Sequence, residues 1–143
     1  MSKGNTFEND LMLLLFNATA IANIADNAAS SPLTNLYVSL HTADPGETGN
    51  QTTNEATYTS YARVAVARSG SGWTVTNNQA VNAALVQFPQ CTGGSNTITH
   101  VAVGTAASST GKLLYKGALS ASLAVSTGIQ PQFAGGALTV SED

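Results

Sequence analysis

Charged side chains are scarce in this sequence. Asp, Glu, Lys and Arg make up 9% of its 143 residues, whereas an ordinary soluble domain has roughly 25%. Residues 69–111 and 117–141 contain none of them. Ser, Thr, Asn and Gln therefore supply the polar surface, which leaves little electrostatic repulsion between copies of the chain. Such a surface suits broad protein–protein contact that tolerates salt, because salt screens only interactions between charges. It also suits the binding of a sugar.

Cations and cysteines are fewer still. The net charge is −3, and the cations are Lys3, Arg63, Arg68, Lys112 and Lys116. Because Lys and Arg contacts to phosphate dominate nucleic-acid affinity, we expect no nucleic-acid partner. The single cysteine, Cys91, excludes an internal disulfide and a thiolate zinc cluster, and we interpret it as a small, partly buried side chain. We expect no cofactor.

Long apolar runs are absent as well. The sequence has no 18-residue apolar stretch of the kind that spans a bilayer. The apolar run at residues 11–16 follows Glu8 and Asp10 rather than the basic start of a signal peptide. We therefore expect no membrane partner and synthesis in the cytoplasm, with the chain soluble until it meets its partner.

The first 30 residues carry the periodicity of a helix. Apolar side chains recur every three or four residues at Phe7, Leu11, Leu14, Ala18, Ile21 and Ala25, and a second row follows Leu13, Phe16, Ala20 and Ile24. Asn5 and Glu8 predict a capping box at the start, and the Ala-Ala-Ser-Ser-Pro run predicts an end near residue 27. One face can pack on its own domain, which leaves the other for a second surface. We therefore predict an assembly interface formed by Phe7, Leu11, Leu14, Leu15, Phe16 and Ile21.

From residue 33 onward the period changes to two, which is the alternation of half-buried strands. Leu36, Val38 and Leu40 point to one face of the first strand. Further strands are predicted at residues 58–68, 73–76, 80–88 with a bulge near Ala84, 97–104, 113–119, 123–126, 129–134 and 138–141. Turn residues separate them at the spacing typical of sandwiches. The pattern predicts a mainly β protein: a single antiparallel β-sandwich, jelly-roll-like, at residues 31–143, preceded by an N-terminal amphipathic α-helix and linker at residues 1–30.

The residues that could carry chemistry form no known catalytic motif. His41 and His100 lack the close spacing of a metal site, and we interpret them as hydrogen-bonded sheet residues, with a metal shared with Asp44 or Asp26 as the alternative. All eight acids lie within residues 8–55 or at the last two positions, so the later strands offer no carboxylate pair for a glycosidase. No serine stands at a strand-to-helix elbow. We predict that the protein is not an enzyme.

A long loop at residues 43–57 joins the first two predicted strands. Its acids could supply oxygens to calcium, but their spacing does not match an EF-hand. Asp44-Pro45-Gly46 instead predicts a β-turn. We interpret the loop as an interaction arm whose contact residues are Asp44, Pro45, Gly46, Glu47, Asn50 and Glu55. Deletion of residues 46–54 is then expected to leave the domain folded.

Aromatic residues are few, and three of them are candidates for surface recognition: Trp73, Tyr58 and Tyr61. A tryptophan beside a glycine turn can stack on a sugar ring. The alternative for Trp73 is a ring that covers the end of the sandwich. Arg63 is interpreted as a strand-surface cation that meets a backbone or carboxylate partner.

Several stretches resemble a family of tailed-bacteriophage virion proteins. They are "NLYVSLHTADPGETG", "YARVAV", "ITHVAVGTA", "GKLLYKGAL" and "FAGGALTV". The shared features are a strand that ends in Leu40-His41-Thr42, the Asp44-Pro45-Gly46 turn and a closing strand from Ala134 to Val140. The resemblance spans about residues 33 to 141 and carries no catalytic residues. Members are labelled head-decoration or cement, minor tail or tail-fibre proteins.

This resemblance implies a component of the virion. The sequence reading favours a capsid decoration or cement protein on the capsid exterior, which binds the assembled shell and stabilises it by mass action. Its partners would be the lattice of the major capsid protein and other copies of itself. The alternative is a structural component of the tail or tail fibre that contributes to host attachment.

Overall fold

The computed structural model describes residues 5–21 and 32–142. They form one helix, α1 (Asn5–Asn17), and nine strands. The strands are β1 (Asn35–His41), β2 (Val64–Ala67), β3 (Trp73–Thr76), β4 (Gln79–Asn82), β5 (Val86–Gln87), β6 (Ser95–Gly104), β7 (Leu113–Ser126), β8 (Gln132–Phe133) and β9 (Thr139–Ser141). The sheet orders are β2-β1-β6-β7, β3-β4-β9 and β5-β8. The fold is therefore mainly β with one N-terminal helix, consistent with the predicted β-sandwich class.

The described residues cluster into two compact units, each discontinuous in sequence. The helical unit comprises the described parts of Met1–Asn35, Val66–Val86 and Phe133–Asp143. The β unit comprises Leu36–Ala65 and Gln87–Gln132. The predicted boundary between residues 30 and 31 lies outside the described residues and stays a prediction.

Helix α1 ends at Asn17, well before the predicted end near residue 27. Ala18 adopts a left-handed backbone conformation with φ of 55°, which a helix cannot continue through. The Thr19 N–H then donates to the Leu13 carbonyl at 3.1 Å and closes the last turn. The apolar period continues past this point in the sequence, so periodicity alone overestimates the length of the helix.

Arg68 completes the C-terminal end of α1. Its guanidinium donates from Nη2 to the Leu14 carbonyl at 2.6 Å and from Nε to the Leu15 carbonyl at 2.7 Å. A third bond, from Nη1, reaches the Leu33 carbonyl at 3.1 Å. The last carbonyls of a helix lack intrahelical partners and carry partial negative charge, so a cation there satisfies and stabilises them. Burial lowers the pKa of Arg68 from its ordinary value.

The buried face of α1 is centred on Met12 and Phe16, both fully buried within the helical unit. The Phe16 ring meets Trp73 edge-on, with 4.7 Å between the ring centroids. Phe7, the first residue of the predicted stripe, is 41% exposed instead. Leu11 and Leu14 are half-buried. The packed row therefore follows Met12 and Phe16. Phe16 belongs to the second predicted row, Met12 belongs to neither row, and the assembly interface stays a prediction.

The sheet β3-β4-β9 lies in the helical unit, and α1 packs on β3 and β4. Asn77-Asn78 forms the predicted turn between β3 and β4, where Thr76 pairs with Gln79. The buried side chain of Asn82 ties this sheet to residues 134–138. Its Nδ2 donates to the carbonyls of Ala84 and Ala134, and its Oδ1 accepts from the Leu138 N–H, each at 2.8 Å.

The strand predictions were most accurate where side chains alternate strictly. Strand β3 has the predicted bounds, and β1 buries Leu36, Val38 and Leu40 as expected. The predicted strand at residues 58–68 was too long, because only β2 is extended. The bulge predicted near Ala84 is a break between β4 and β5. Residues 113–119 and 123–126, predicted as two strands, form the single strand β7.

We expect Phe16→Ala to lower the free energy of unfolding by about 3–5 kcal/mol, because it removes a fully buried ring that contacts Trp73. Phe7→Ala on the same helix is the matched control and should cost about 0.5 kcal/mol. Urea denaturation followed by tryptophan fluorescence measures both. Equal effects of the two substitutions would contradict the observed orientation of the helix.

Candidate functional site

The loop at residues 43–57 folds onto the β unit instead of projecting from it. The Gly46 N–H donates to Asp44 Oδ1 at 2.8 Å, and Gly46 has a φ of 75°, so Asp44-Pro45-Gly46 forms the predicted turn. Asn54 Nδ2 donates to the Asp44 carbonyl at 3.0 Å. The Thr42 N–H donates to the Asn54 carbonyl at 2.8 Å. The two ends of the loop are thus bonded to each other.

Lys116, on β7, holds the acidic tip of this loop. Its Nζ lies 3.0 Å from Asp44 Oδ1 and 3.0 Å from Glu47 Oε1. The Gly46 N–H, followed by Lys116, lowers the pKa of Asp44 from its ordinary value. Hydrogen bonds to Glu47 and Asp44 raise the pKa of Lys116. Because both carboxylates are exposed to solvent, the cluster orients the tip and contributes little stability.

Gln51 anchors the middle of the loop. Its side chain is fully buried, and its Oε1 accepts from the Ala106 N–H at 2.9 Å. Its backbone N–H donates to the Gly111 carbonyl at 3.1 Å. Gly104 and Gly111 leave the space for its amide, since a Cβ on either glycine would overlap it. Removal of residues 46–54 would remove Gln51 and open this buried site, so we expect the deletion to destabilise the β unit rather than leave it intact.

Glu55, Tyr61 and Arg63 form a buried polar cluster in the β unit. Arg63 binds Glu55 in a bidentate pair at 2.6 Å and 2.8 Å, and the side chains are 2% and 14% exposed respectively. Arg63 also donates to the carbonyls of Ala106 at 2.9 Å and Ser109 at 2.8 Å. The pair with Glu55 raises the pKa of Arg63. Arg63 has the predicted carboxylate and backbone partners, but it lies in the interior and not on the strand surface.

Tyr61 extends this cluster to β1. Its hydroxyl donates to Glu55 Oε1 at 3.0 Å and accepts from the Leu40 N–H at 3.0 Å. Burial raises the pKa of this hydroxyl above its ordinary value. Its ring stacks on Phe88, with 6.2 Å between the centroids. The hydroxyl and the ring are therefore both engaged inside the unit.

The two histidines are cross-strand neighbours. His41 on β1 pairs in register with His100 on β6. His41 is fully buried: its Nδ1 donates to the Thr53 carbonyl at 2.9 Å, and its Nε2 lies 2.9 Å from Ser39 Oγ. Because a carbonyl only accepts, Nδ1 carries the proton. Burial lowers the pKa of His41 from its ordinary value, which favours the neutral ring, and the residue acts as a structural link to the loop.

The predicted recognition aromatics are buried. Trp73 is fully buried, and its indole N–H has no hydrogen-bond partner among the described residues. Tyr58 is 3% exposed, and its hydroxyl donates to the Pro89 carbonyl at 3.0 Å. Burial raises the pKa of Tyr58 to about 12. A ring without exposed area cannot stack on a ligand, so the structure corrects the surface role predicted for Trp73 and Tyr58.

The predicted interface residues fall into three groups. Phe16 and Ile21 are buried in the helical unit, whereas Phe7 is exposed and Leu11, Leu14 and Leu15 are half-buried. In the loop, Asp44 and Glu47 are exposed and Asn50 is half-buried. Pro45 is buried, whereas Gly46 and Glu55 are half-buried, and Glu55 is bonded to Arg63. The sequence reading missed Met12, Gln51 and Arg68, because none of them stands in a motif that signals burial or capping.

Three further observations concern the described residues only. No group of three or more His, Cys, Asp or Glu side chains there could hold a metal ion. None of the helical segments in that part of the chain is long and apolar enough to cross a membrane. Cys91 is buried, and its thiol donates to the Gly93 carbonyl at 3.3 Å.

Comparison with known proteins gives one family match. Residues 5–141 match the family model described as "Podophage GP4 fiber I protein gp80". No curated protein matches the chain. The match supports the phage origin that the sequence predicted, but it does not support the specific grouping by the Leu-His-Thr and Asp-Pro-Gly motifs.

We expect Arg63→Met to lower the free energy of unfolding by about 3–5 kcal/mol, because it leaves Glu55 charged and without its buried partner. In a Glu55→Gln background the same substitution should cost less, since no charge is then stranded. A double-mutant cycle by urea denaturation measures the difference. The control is Lys116→Met, which removes two ion pairs to solvent-exposed carboxylates and should cost little. Equal costs of Arg63→Met in both backgrounds would show that the pair is not coupled.

We also expect stability to fall as the pH is lowered through 6.5. Because burial lowers the pKa of His41 in the folded state, the unfolded chain takes up the proton first, and protonation favours unfolding until the pH reaches the folded pKa. The groups whose charges act on His41 are Glu55, Arg63 and His100. Thermal unfolding between pH 5 and 8 (roughly the range that brackets an ordinary histidine) should show the slope in wild type and in His100→Gln. A slope that persists in His41→Gln would assign the effect to another group.

Proposed function

The chain belongs to the podophage fiber protein family that its residues 5–141 match, and on this premise we propose that it is a structural component of the tail fibre. In this role it binds other virion proteins, contributes to host attachment and catalyses no reaction. The observation that carries the proposal is the extent of the match. It covers nearly the whole chain, including α1 and both units.

The match favours the tail fibre over the capsid. The sequence favours a decoration protein on the capsid exterior, with a structural component of the tail or tail fibre as the alternative. The family description names a fiber protein and says nothing of a capsid. The alternative is therefore the better supported of the two, and a capsid location becomes an outcome of the test below.

Within the fibre, the structure supports a connecting role over a receptor-binding tip. A tip that recognises glycans would present exposed rings with polar groups around them. Trp73 and Tyr58 are buried instead, and the Tyr61 hydroxyl donates to Glu55 and accepts from the Leu40 N–H inside the β unit. The partners we propose are other virion proteins and further copies of this chain.

The charge distribution is consistent with such contacts. Arg63 and Arg68 point their guanidinium groups at carbonyls or a carboxylate of the chain itself. Lys116 is held by the acids of the loop. Little positive charge is then left to bind phosphate, whereas neutral polar surfaces can join virion proteins at any ionic strength.

The location on the particle tests this proposal. Quantitative mass spectrometry of purified virions should give far fewer copies of this chain than of the major shell protein. Immunogold labelling of an exposed epitope tag should mark the tail. Tailless heads from the same lysate are the control and should lack the protein. A copy number close to that of the shell protein, with label on the heads, would instead identify a decoration protein.

A further inference from the structure

Strand β7 has an outer edge that no strand of the described residues covers. It is the last strand in the order β2-β1-β6-β7 and pairs only with β6 in that sheet. It is 14 residues long, whereas a typical strand has about 5–6. An edge of this length presents a row of backbone N–H and C=O groups to which another chain can pair.

The C-terminal part of this edge carries no charged residue and no proline. Proteins shield exposed edges with Lys, Pro or other charged residues, and residues 117–126 contain none of these. Apart from half-buried Leu119, every side chain from Gly117 to Ala124 is exposed. Lys116, at the start of this segment, is held by the loop acids Asp44 and Glu47. The segment is therefore open, neutral and available on its outer side.

The centre of the segment is also the part that β6 holds least. Leu123 pairs with Ile98 and Ala118 pairs with His100, so two residue steps along β6 correspond to five along β7. Residues 119–122 consequently have no partner in the β6 register. They form a bulge that frees backbone groups from the ladder.

The sequence of residues 118–124, which contains this bulge, reads the same in both directions. Residues 118–124 are Ala-Leu-Ser-Ala-Ser-Leu-Ala, with Ala121 at the centre. In an antiparallel pair of identical strands related by a two-fold axis at Ala121, each residue would face its own kind. Leu119 would lie opposite the second copy's Leu123, and Ser120 opposite its Ser122. Apolar and hydroxyl cross-strand pairs of this kind stabilise antiparallel sheets.

We propose that residues 117–125 form an antiparallel strand pair with the same segment of a second copy of this chain, about a two-fold axis at Ala121. This strand pair rests on the proposed role in the fibre. It identifies the segment that joins two copies of the chain. A two-fold contact is self-complementary, so the palindromic segment meets itself with matched side chains.

Charge supports a second copy as the occupant. The chain carries a net charge of −3, but residues 117–141 carry none, so two copies meet there without like charges in contact. Lys116 would face the second copy's Ser126, which places the two Lys116 residues ten strand positions apart, or about 33 Å. A single strand pair buries less than the roughly 800 Å² per partner of a stable complex. The dimer is therefore weak in dilute solution and is strengthened where several copies are held on one particle.

Disulfide trapping of the purified chain tests this geometry. Residues directly opposite in an antiparallel pair have Cα atoms about 4.5–5.5 Å apart, which is within disulfide range. Ala121→Cys should therefore form a covalent dimer under mild oxidation, about tenfold faster than the control Ala107→Cys, because paired thiols have a raised effective concentration. Ala107 is an exposed alanine of the same unit. The native Cys91 is buried and contributes no background.

Two further variants define the register. Leu119→Cys alone should not cross-link, because the two copies of residue 119 would lie about 13 Å apart, four strand positions along. An equal mixture of Leu119→Cys and Leu123→Cys, one of them tagged to change its size, should give the mixed dimer. Cross-linking of Leu119→Cys with itself would overturn the antiparallel register. Equal rates for Ala121→Cys and Ala107→Cys would overturn the interface itself.

A charge substitution separates pairing from chance collision. Leu123→Lys in the Ala121→Cys background should slow cross-linking to the rate of the control, because it places an ammonium opposite Leu119 of the second copy. Leu85→Lys, at another exposed leucine, should leave the rate unchanged. Circular dichroism confirms that each variant is folded. If Leu123→Lys cross-links as fast as its parent, the proposal is wrong. The location of the protein on the virion is measured separately, so either proposal can fail without the other.

Discussion

The bidentate pair between Arg63 and Glu55 holds together distant parts of the β unit. Through Glu55 it fixes the end of the long loop, and through the carbonyls of Ala106 and Ser109 it fixes the connection between β6 and β7. Tyr61 links the same carboxylate to the backbone of β1. Buried ion pairs often add little net stability, because desolvation offsets their attraction. Here the pair mainly determines which backbone segments meet, because it binds both the end of the long loop and the connection between β6 and β7.

The helical unit uses its arginine in the same way. Arg68 binds the last carbonyls of α1, as Arg63 binds the connection in the β unit. A chain with few charges thus has two cations whose guanidinium groups bind backbone carbonyl oxygens of the same chain. The outer surface is left with hydroxyl, amide and small apolar groups, as along residues 117–126. Such a surface fits a virion component that binds its neighbours through shape and backbone hydrogen bonds.

Local patterns predicted much of the secondary structure. Alternation identified β3 and the buried face of β1, and the Asn77-Asn78 and Asp44-Pro45-Gly46 turns were read from residue types that favour them. The presence and type of the N-terminal helix also followed from its period. These features depend on residues that are neighbours in sequence. The candidate site is less predictable, because side-chain chemistry alone suggests a surface role for Trp73 and Tyr58, and both are buried.

The sequence by itself therefore determined the mainly β class, the single helix and the neutral character of the surface, since composition and short-range periodicity decide them. Only the tertiary structure decided that α1 stops at Asn17, that Met12 faces inward and that Gln51 fills the space over two glycines. It also decided the partners of Arg63 and Arg68. Each of these depends on a residue distant in sequence, and nothing in a local pattern records which distant carbonyl or ring a side chain will meet.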